Sequence, residues 1–479
     1  MLLSAVVLSL WIAPLGSSFW LDETVTAWVI QDGYDTAVER GSRFSGGNPT
    51  YYVIVWAFAQ FFGTSELALR TPSMLAMLGC LVLFWRLARD IRDRETGLIA
   101  TIVFACVPLI AFEARNARTY AIGLFFTLAS WVVLRRWVQT WRYRDAALHA
   151  FCLAMVFHIH YLLSLVALVN GVQVIVAMVR QRRVPYLPIL ASIIFFAIFC
   201  APSYSSLVEL FGRKASLIVV PSPSYRVLWK ELFPEAFGAA LFMGLFASAF
   251  VAKARVSESP KPLDRLELLV LAAQWLALPV LVFLISRYTY TRIFIPRYFI
   301  SSVAGMALVL ALGVRSIGPP RVRLVMVATV AVISAIGFFR TEHHDNNWKN
   351  LNAAIRQELK SAPDLEILAH TGLVEAKDLS WFEDPESRAY LNSPFAYYPV
   401  GKDVIPLPFS STPEDREYMQ GLLDRILKER KGFMVVSRRA AEFFNVFFMS
   451  GLSQSRYKTS RIFGTFGNLT LYRFDPNDE

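Results

Sequence analysis

Residues 97–136 read GLIATIVFACVPLIAFEARNARTYAIGLFFTLASWVVLRR, two apolar runs separated by a short polar stretch. Each run approaches the roughly 18 residues that cross a hydrocarbon core of about 30 Å. A core helix of a soluble protein would be shorter and amphipathic. Similar runs recur from the N-terminus to about residue 339. The sequence therefore predicts a polytopic α-helical membrane protein.

The composition of the whole chain agrees with this class. Of its 479 residues 55% are hydrophobic and only 18% are charged, and the mean hydropathy is +0.43. Soluble domains have a lower apolar share and a higher charged share. The four cysteines lie in apolar runs and none has a CxxC spacing, so we interpret them as small buried side chains. They are Cys80, Cys106, Cys152 and Cys200.

About eleven spans are predicted, with the N-terminus inside and the C-terminus outside. They lie near residues 2–19, 70–88, 96–113, 119–135, 146–161, 162–179, 185–201, 236–253, 266–285, 297–314 and 322–339. Arginine clusters at 86–94, 135–144 and 180–183 fall at inner ends in this arrangement, as the positive-inside rule requires. The apolar segment 49–62 is too short for a span, and we interpret it as an interfacial or re-entrant helix.

The charge of +11 belongs to the membrane part of the chain. Residues 1–339 contain 30 Lys and Arg against 17 Asp and Glu, whereas residues 340–479 contain 18 against 20. The soluble part, residues 340–479, has no basic stripe interleaved with aromatic residues, so nucleic acid is excluded as a partner. We predict a transmembrane domain over 1–339, with a first outer loop at 20–69, and an extracytoplasmic domain over 340–479.

The domain over 340–479 is predicted to be a small α/β domain. Strand-like runs lie near 365–370, 432–437 and 468–474, and helical patterns near 349–361 and 413–430. The second helix has Thr412 as N-cap and Pro413 at its first position, which are favoured helix-start residues.

An acidic pair, Asp22-Glu23 in FWLDETVTAW, directly follows the first predicted span. Two adjacent carboxylates at a membrane boundary cost desolvation free energy unless they are paired or exposed. A carboxylate can take the proton of a hydroxyl that attacks an activated sugar. Capping of a helix N-terminus, which acidic residues favour, is the alternative.

Two groups of arginines stand at predicted outer ends, against the positive-inside trend. In FEARNARTYA they are Arg115 and Arg118, and in SRYTYTRIFIPRYF they are Arg287, Arg292 and Arg297. A lipid phosphate would favour them, because it accepts bidentate hydrogen bonds from guanidinium groups. Pairing with Glu113 is the alternative for the first group. An interfacial aromatic belt with snorkelling arginines is the alternative for the second.

Two histidines, His158 and His160 in FHIHY, lie between two predicted spans. An HxH pair can bind a metal ion, but no third ligand is close in the sequence. Residues two apart on a helix also face different directions. We therefore predict a hydrogen-bonding role for one of them and assign no metal ligand.

As a set, these motifs resemble the GT-C membrane glycosyltransferases over roughly residues 15–350. The resemblance is closest to protein O-mannosyltransferases, aminoarabinose transferases and lipid A galacturonosyltransferases. The family's acidic pair after the first helix matches Asp22-Glu23, and its (H/K)PP-x-YY segment matches Asn48-Pro49-Thr50-Tyr51-Tyr52. Its FG-x-(S/N)E-x-x-x-R-x-PS run matches Phe62-Gly63, Ser65-Glu66, Arg70, Pro72 and Ser73, and its EAR-x-YA motif matches Asn116-Ala117-Arg118-Thr119-Tyr120-Ala121. Three later motifs also match: THY at Ile159-His160-Tyr161, RY at Arg297-Tyr298, and DWR at Asn347-Trp348-Lys349. The chain departs from the family pattern at Asn48 and Asn116.

The resemblance implies transfer of a sugar, with inversion, from a polyprenyl phosphate to an extracytoplasmic lipid, glycan or protein hydroxyl. It implies Asp22 as the base with Glu23 beside it. It also implies that Arg118 and Arg297 hold the leaving phosphate and that Tyr120 helps to position it. The other donor-site residues it implies are Asn48, Arg115, His160, Tyr161 and Tyr298. Some relatives bind a divalent metal ion near these positions, so such an ion stays open as a cofactor.

Two other functions compete with the enzyme. A lipid-linked sugar transporter or flippase is expected to have repeat-related halves and helices broken at matching positions, and the sequence has no such symmetry. A structural subunit of the cell envelope would leave the outer arginines unexplained. The enzyme is therefore favoured, as an integral protein of a bacterial cytoplasmic membrane whose partners are the bilayer, the lipid-linked donor and the acceptor.

Overall fold

The chain divides into two compact units in a computed structural model. The structure describes residues 1–44, 48–204, 208, 221–233, 264–317, 319–340, 346–438, 441, 443–452 and 457–477. The helical unit comprises Met1–Leu15, Gly41–Gly212 and Ile218–Thr341, and the α/β unit comprises Gly16–Arg40, Arg213–Leu217 and Glu342–Glu479. The predicted span near 236–253 lies outside the described residues.

Five described helices are long and apolar enough to cross a membrane. They are Glu66–Ile91, Tyr120–Thr140, Tyr161–Gln181, Tyr186–Ser203 and Arg265–Tyr288. The polytopic membrane fold is confirmed, and the number of eleven spans stays a prediction. The helix Thr50–Phe62 has 13 residues, or roughly 20 Å at the rise of an α-helix, so it is too short to cross the hydrocarbon core straight.

The helical unit contains further described helices. They are Leu2–Val6, continued by the π-helix Val7–Ile12 and a 3-10 turn at Ala13–Gly16, then Arg94–Cys106, Pro108–Ala114, Tyr143–Ile159, Tyr225–Leu232, Pro296–Phe299, Ser301–Arg315 and Pro320–Arg340.

The span predicted near 96–113 is broken rather than continuous. The helices Arg94–Cys106 and Pro108–Ala114 meet at 73°. Val107 between them has extended backbone angles, φ −63° and ψ 126°, because a proline ring disfavours the helical conformation of the residue before it. The span near 96–113 stays a prediction, and Pro108 explains the bend within it.

Buried polar groups join the helices of this unit. The indole N–H of Trp11 donates to the Ala105 carbonyl at 3.1 Å. The fully buried guanidinium of Arg70 donates to the Leu15 carbonyl at 2.7 Å. At a partly exposed place, Arg315 pairs with Asp93 at 2.9 Å. These contacts satisfy polar groups whose burial would otherwise be costly.

The α/β unit contains one mixed sheet within the described residues. Its strands are β1 (Glu366–Ala369), β2 (Val404–Pro406), β3 (Phe433–Arg438), β4 (Tyr457–Ile462) and β5 (Leu469–Pro476), in the order β2-β1-β3-β5-β4. Strand β1 is parallel to β2 and β3, and the pairs β3–β5 and β4–β5 are antiparallel. The three predicted strands are confirmed as β1, β3 and β5.

The helices of the α/β unit include both that the sequence predicted. They are Leu21–Val29, Tyr34–Arg43, which runs past the unit boundary, Trp348–Ser361, Pro385–Leu391, Ser393–Tyr397, Pro413–Glu429 and Phe443–Leu452, with 3-10 turns at Val374–Lys377 and Leu379–Phe382. Thr412 caps Pro413–Glu429, since its hydroxyl accepts a hydrogen bond from the Asp415 N–H at 3.2 Å.

Gly305 permits a close crossing in the helical unit and provides a stability test. A Cβ at this position would lie 2.5 Å from the Gln274 carbonyl carbon. Because that carbon belongs to the backbone, relieving the clash requires one of the two helices to move. Gly305→Ala is expected to cost about 1–3 kcal/mol and to lower the melting temperature of the full chain in detergent. Gly313→Ala on the same helix is the control, because a Cβ there meets nothing within 4 Å. Equal melting temperatures for the two variants would contradict this packing.

Candidate functional site

A short turn, residues 115–119, places Arg118 between the helices Pro108–Ala114 and Tyr120–Thr140. The Arg118 N–H donates to the Asn116 carbonyl at 2.8 Å. Its own carbonyl accepts a hydrogen bond from the buried Ser73 hydroxyl at 3.3 Å. The backbone of Arg118 is therefore fixed from within the turn and from the helix Glu66–Ile91.

Five predicted donor-site residues meet in the helical unit, and we call them the arginine–aromatic cluster. They are Arg118, Tyr120, His160, Arg297 and Tyr298. The ring centroids of Tyr120 and His160 are 5.4 Å apart, and those of His160 and Tyr298 are 5.1 Å apart. The guanidinium carbon of Arg297 lies 5.5 Å from the centroid of the Tyr120 ring, within the range of a cation–π interaction.

Three separate segments bring this cluster together. Tyr120 begins a long helix and is 1% exposed. His160 ends the helix Tyr143–Ile159, where its N–H donates to the Val156 carbonyl at 2.9 Å. Arg297 and Tyr298 lie on the 3-10 helix Pro296–Phe299. Because residues distant in the chain converge here, this is the strongest candidate site of the helical unit.

The cluster is positively charged. The guanidinium groups of Arg118 and Arg297 both act electrostatically on His160 and on Tyr120, and Glu113 acts on Tyr120 as well. The Nδ1 atom of His160 is buried and has no hydrogen-bond partner within the described part of the chain. Two cations beside buried polar rings favour an anion with several acceptor oxygens, such as a phosphate.

Asn48 and Tyr161 both contact Phe157, three residues before His160 in the chain. The buried Asn48 amide donates to the Phe157 carbonyl at 2.9 Å. The Tyr161 ring packs edge-on against the Phe157 ring with 4.8 Å between centroids. Asn48 thereby ties the start of the helix Thr50–Phe62 to the segment that carries His160.

The other histidine of the pair, His158, forms hydrogen bonds to the end of a neighbouring helix. Its Nδ1 is 2.6 Å from the Ser203 hydroxyl, and its Nε2 is 2.7 Å from the Phe199 carbonyl oxygen. His158 therefore has the hydrogen-bonding role that the sequence predicted for one of the two. Within the described ranges, no three His, Cys, Asp or Glu side chains come together as a metal-binding group.

Arg115 contacts the first helix. It is 4% exposed, and its Nη1 donates to the Leu10 carbonyl at 3.4 Å. The Glu113 carboxylate accepts a hydrogen bond from the Asn116 amide at 3.1 Å. Arg115 therefore links the turn 115–119 to the π-helix Val7–Ile12, which is a role separate from the ring contacts of the cluster.

Arg287 has the surroundings expected for an interfacial belt. Its guanidinium carbon lies 5.8 Å from the Tyr225 ring centroid, and the neighbouring Tyr288 and Tyr290 are 67% and 90% exposed. Arg292 donates to the Thr289 carbonyl at 2.9 Å within the same turn. Of the three arginines in this stretch, Arg297 is the one that belongs to the cluster.

The acidic pair lies in the α/β unit, on the helix Leu21–Val29, which we call the Asp22 helix. The buried Glu23 carboxylate accepts a hydrogen bond from the Trp20 N–H at 3.2 Å, so Glu23 caps the helix start. Asp22 is half-buried. Glu23 therefore has the capping role that was the alternative for the acidic pair. The role of Asp22 as the base stays a prediction.

The residues that hold the Asp22 helix were not predicted from the sequence. They come from the C-terminal part of the chain: Tyr390, Ser393, Tyr397 and Tyr398. The Phe19 N–H, two residues before the Asp22 helix, donates to the Tyr398 hydroxyl at 2.9 Å. These contacts join residues more than 350 positions apart, and no local pattern encodes them.

Comparison with known proteins agrees with the motifs. A family model described as dolichyl-phosphate-mannose-protein mannosyltransferase matches residues 47–204. This third of the chain includes Asn48, Arg118, Tyr120 and His160. Among curated proteins, no relative matches the chain.

Solved structures match nearly the whole chain. It is similar to ArnT from Cupriavidus metallidurans bound to undecaprenyl phosphate, with 11% identity and a TM-score of 0.55, over 98% of this chain and 97% of ArnT. It is also similar to the arabinofuranosyltransferase AftD from Mycobacteria, with 14% identity and a TM-score of 0.53, over 100% of this chain and 40% of AftD. The chain has the fold of the GT-C membrane glycosyltransferases, and the resemblance drawn from its motifs is confirmed.

Asn48 allows a test of how the helix Thr50–Phe62 is attached. Asn48→Asp replaces the amide donor by a carboxylate that faces the Phe157 carbonyl oxygen, and it should cost about 1–3 kcal/mol of stability. The measurement is the melting temperature of the full chain in detergent. Gln60→Glu is the control and should have little effect, because the exposed Gln60 amide donates within its own helix, to the Trp56 carbonyl. If both variants melt like the wild type, the hydrogen bond does not hold this helix.

Proposed function

We propose that this chain transfers a sugar from a polyprenyl-phosphate donor to an acceptor hydroxyl outside the cytoplasm, with inversion at the anomeric carbon. The acceptor class is a lipid, glycan or protein hydroxyl. The protein works in a bacterial cytoplasmic membrane, with residues 340–479 on the extracytoplasmic side. The observation that carries the proposal is the arginine–aromatic cluster.

The cluster suits the phosphate of a lipid-linked donor. Arg118 and Arg297 supply two positive charges beside Tyr120 and His160. When the bond between sugar and phosphate breaks, negative charge grows on the phosphate oxygens, and fixed guanidinium groups stabilise it most at that stage. Tyr120 and Tyr298 restrict the space around the phosphate.

Asp22 is the base of the proposed reaction. Its carboxylate takes the proton of the acceptor hydroxyl as the hydroxyl oxygen bonds to the anomeric carbon. The bond from that carbon to the phosphate oxygen breaks on the opposite face, and the polyprenyl phosphate leaves with the electron pair. A single carboxylate suffices, unlike the paired carboxylates of retaining hydrolysis. Glu23 supports Asp22 by capping the helix that carries it.

The donor class is inferred from the proteins that this chain resembles. The matching family model is named for dolichyl-phosphate-mannose, and the ArnT structure holds undecaprenyl phosphate. Dolichyl phosphate and undecaprenyl phosphate are both long polyprenyl phosphates, so we infer a donor in which the sugar is linked to a lipid of this class. No step of the proposed mechanism passes through a metal.

Asp22→Asn should abolish sugar transfer, with a fall of at least about 100-fold, because an amide cannot accept the acceptor proton. The assay uses labelled polyprenyl-phosphate sugars and the purified chain in proteoliposomes. Asp35→Asn, at an exposed position of the same unit, is the control and should retain wild-type transfer. Full activity of Asp22→Asn would reject Asp22 as the base. Movement of the labelled lipid across the bilayer without transfer would favour the transporter instead.

Arg297→Ala should weaken donor binding about tenfold or more, because it removes one of two charges from the phosphate site. The measurement is the apparent donor affinity in the same proteoliposomes. Arg287→Ala removes an arginine from the interfacial belt in the same stretch and should leave the donor affinity unchanged. Equal donor affinities in the wild type and Arg297→Ala would assign Arg297 to the belt as well.

A further inference from the structure

We propose that residues 385–398 position the candidate base, and that Tyr398 is a positioning residue for the transfer reaction. This inference rests on the proposed function, because it gives a catalytic purpose to the contacts that hold the Asp22 helix. All of these contacts lie within the α/β unit. They involve the start of the helix, one of its faces and the segment that follows it.

The start of the Asp22 helix is fixed through the backbone. The Phe19 N–H donates to the Tyr398 hydroxyl at 2.9 Å in a buried contact. The Phe19 ring packs on the Tyr397 ring with 4.7 Å between centroids. The Ser18 hydroxyl accepts a hydrogen bond from the Lys349 N–H at 3.2 Å. A change at any of these points would shift the first turn, which contains Asp22.

One face of the Asp22 helix packs on the helices Pro385–Leu391 and Ser393–Tyr397. Thr24 and Trp28, four residues apart, share this face. The Thr24 and Ser393 hydroxyls are 3.2 Å apart, and both residues are fully buried. The Trp28 ring meets the Tyr390 ring edge-on at 5.7 Å. The helix therefore cannot rotate about its axis without separating these pairs.

Arg40 fixes the segment that follows the helix. Its guanidinium donates to the Glu386 carboxylate at 3.1 Å and to the Trp28 carbonyl at 2.9 Å. It also pairs with Asp32 at 2.8 Å and lies 4.2 Å from the centroid of the Trp28 ring. The Arg40 side chain is only 12% exposed, so solvent screens these interactions less than it would at a free surface.

Asp22 itself is on the opposite side of the helix. Asp22 and Thr24 are two residues apart, which is about 200° around the axis of an α-helix. The packed face and Asp22 are therefore separate, and a change in the packed face can misplace Asp22 without touching it. A misplacement of about 1 Å can reduce a rate by about 100-fold.

Tyr398→Phe tests this role, because it removes only the hydroxyl that accepts the Phe19 N–H. Turnover at saturating donor should fall about tenfold or more, while the KM for the donor stays within about twofold of the wild type. Hydrogen exchange of the amides at 19–29 should become several-fold faster. Tyr457→Phe is the matched control in the same unit, because the hydroxyl of Tyr457, on strand β4, donates to the Lys431 carbonyl at 3.0 Å. It should leave turnover and exchange at 19–29 unchanged.

A second variant, Glu386→Gln, weakens the contact to Arg40 and should reduce turnover about two- to threefold with the same unchanged KM. If Tyr398→Phe keeps wild-type turnover while Asp22→Asn is inactive, the positioning role is wrong and the proposed function stands. If turnover and melting temperature fall together in Tyr398→Phe and in Tyr457→Phe, the hydroxyl is merely structural and the positioning role is also wrong. If the wild type transfers no sugar from any polyprenyl-phosphate donor, the proposed function fails. In that case, the positioning role is tested separately: it is wrong if the amides at 19–29 exchange their hydrogens as slowly in Tyr398→Phe as in the wild type.

Discussion

The cost of burying guanidinium groups constrains how the helices of the helical unit are held together. An arginine that leaves water must be met by acceptors or by an anion, because an unmatched buried charge costs several kcal/mol. Arg70 and Arg115 are met by carbonyl oxygens of the first helical segment, Leu15 and Leu10. Each of these arginines therefore fixes the position of a helix. Arg118 and Arg297 lie beside the rings of Tyr120 and His160, where we propose that they hold the phosphate of the donor.

Local patterns were sufficient for much of the fold. Thr412 and Pro413 marked the start of a helix, and apolar runs marked β1, β3 and β5, because capping and strand formation depend on neighbours in the chain. The break at Val107 was also encoded locally, in the proline that follows it. Strands β2 and β4 were missed: β2 has three residues, and β4 is largely exposed, so neither has a strong apolar pattern.

The candidate site was predictable only in part, and for a related reason. Arg118, Tyr120, His160 and Arg297 stood out by charge, position and motif, and the structure brings them together. The contacts of Asn48 with Phe157 and of Glu23 with Trp20 gave each residue a structural role that its motif alone did not reveal. Tyr398 and Ser393 had no signal, because their function depends on partners that are far away in the sequence. A single sequence encodes such pairs only through the finished fold.

The distance in sequence between Phe19 and Tyr398, 379 residues, has a consequence for how the protein is made. The first apolar segment is synthesised and inserted long before residues 385–398 leave the ribosome. Contacts between distant parts of a chain form late, because loop closure must precede them. The segment around Asp22 therefore waits, without its final packing partners, through nearly the whole of translation. A nascent chain that ends early would contain membrane helices but would lack the contacts that hold the acidic helix.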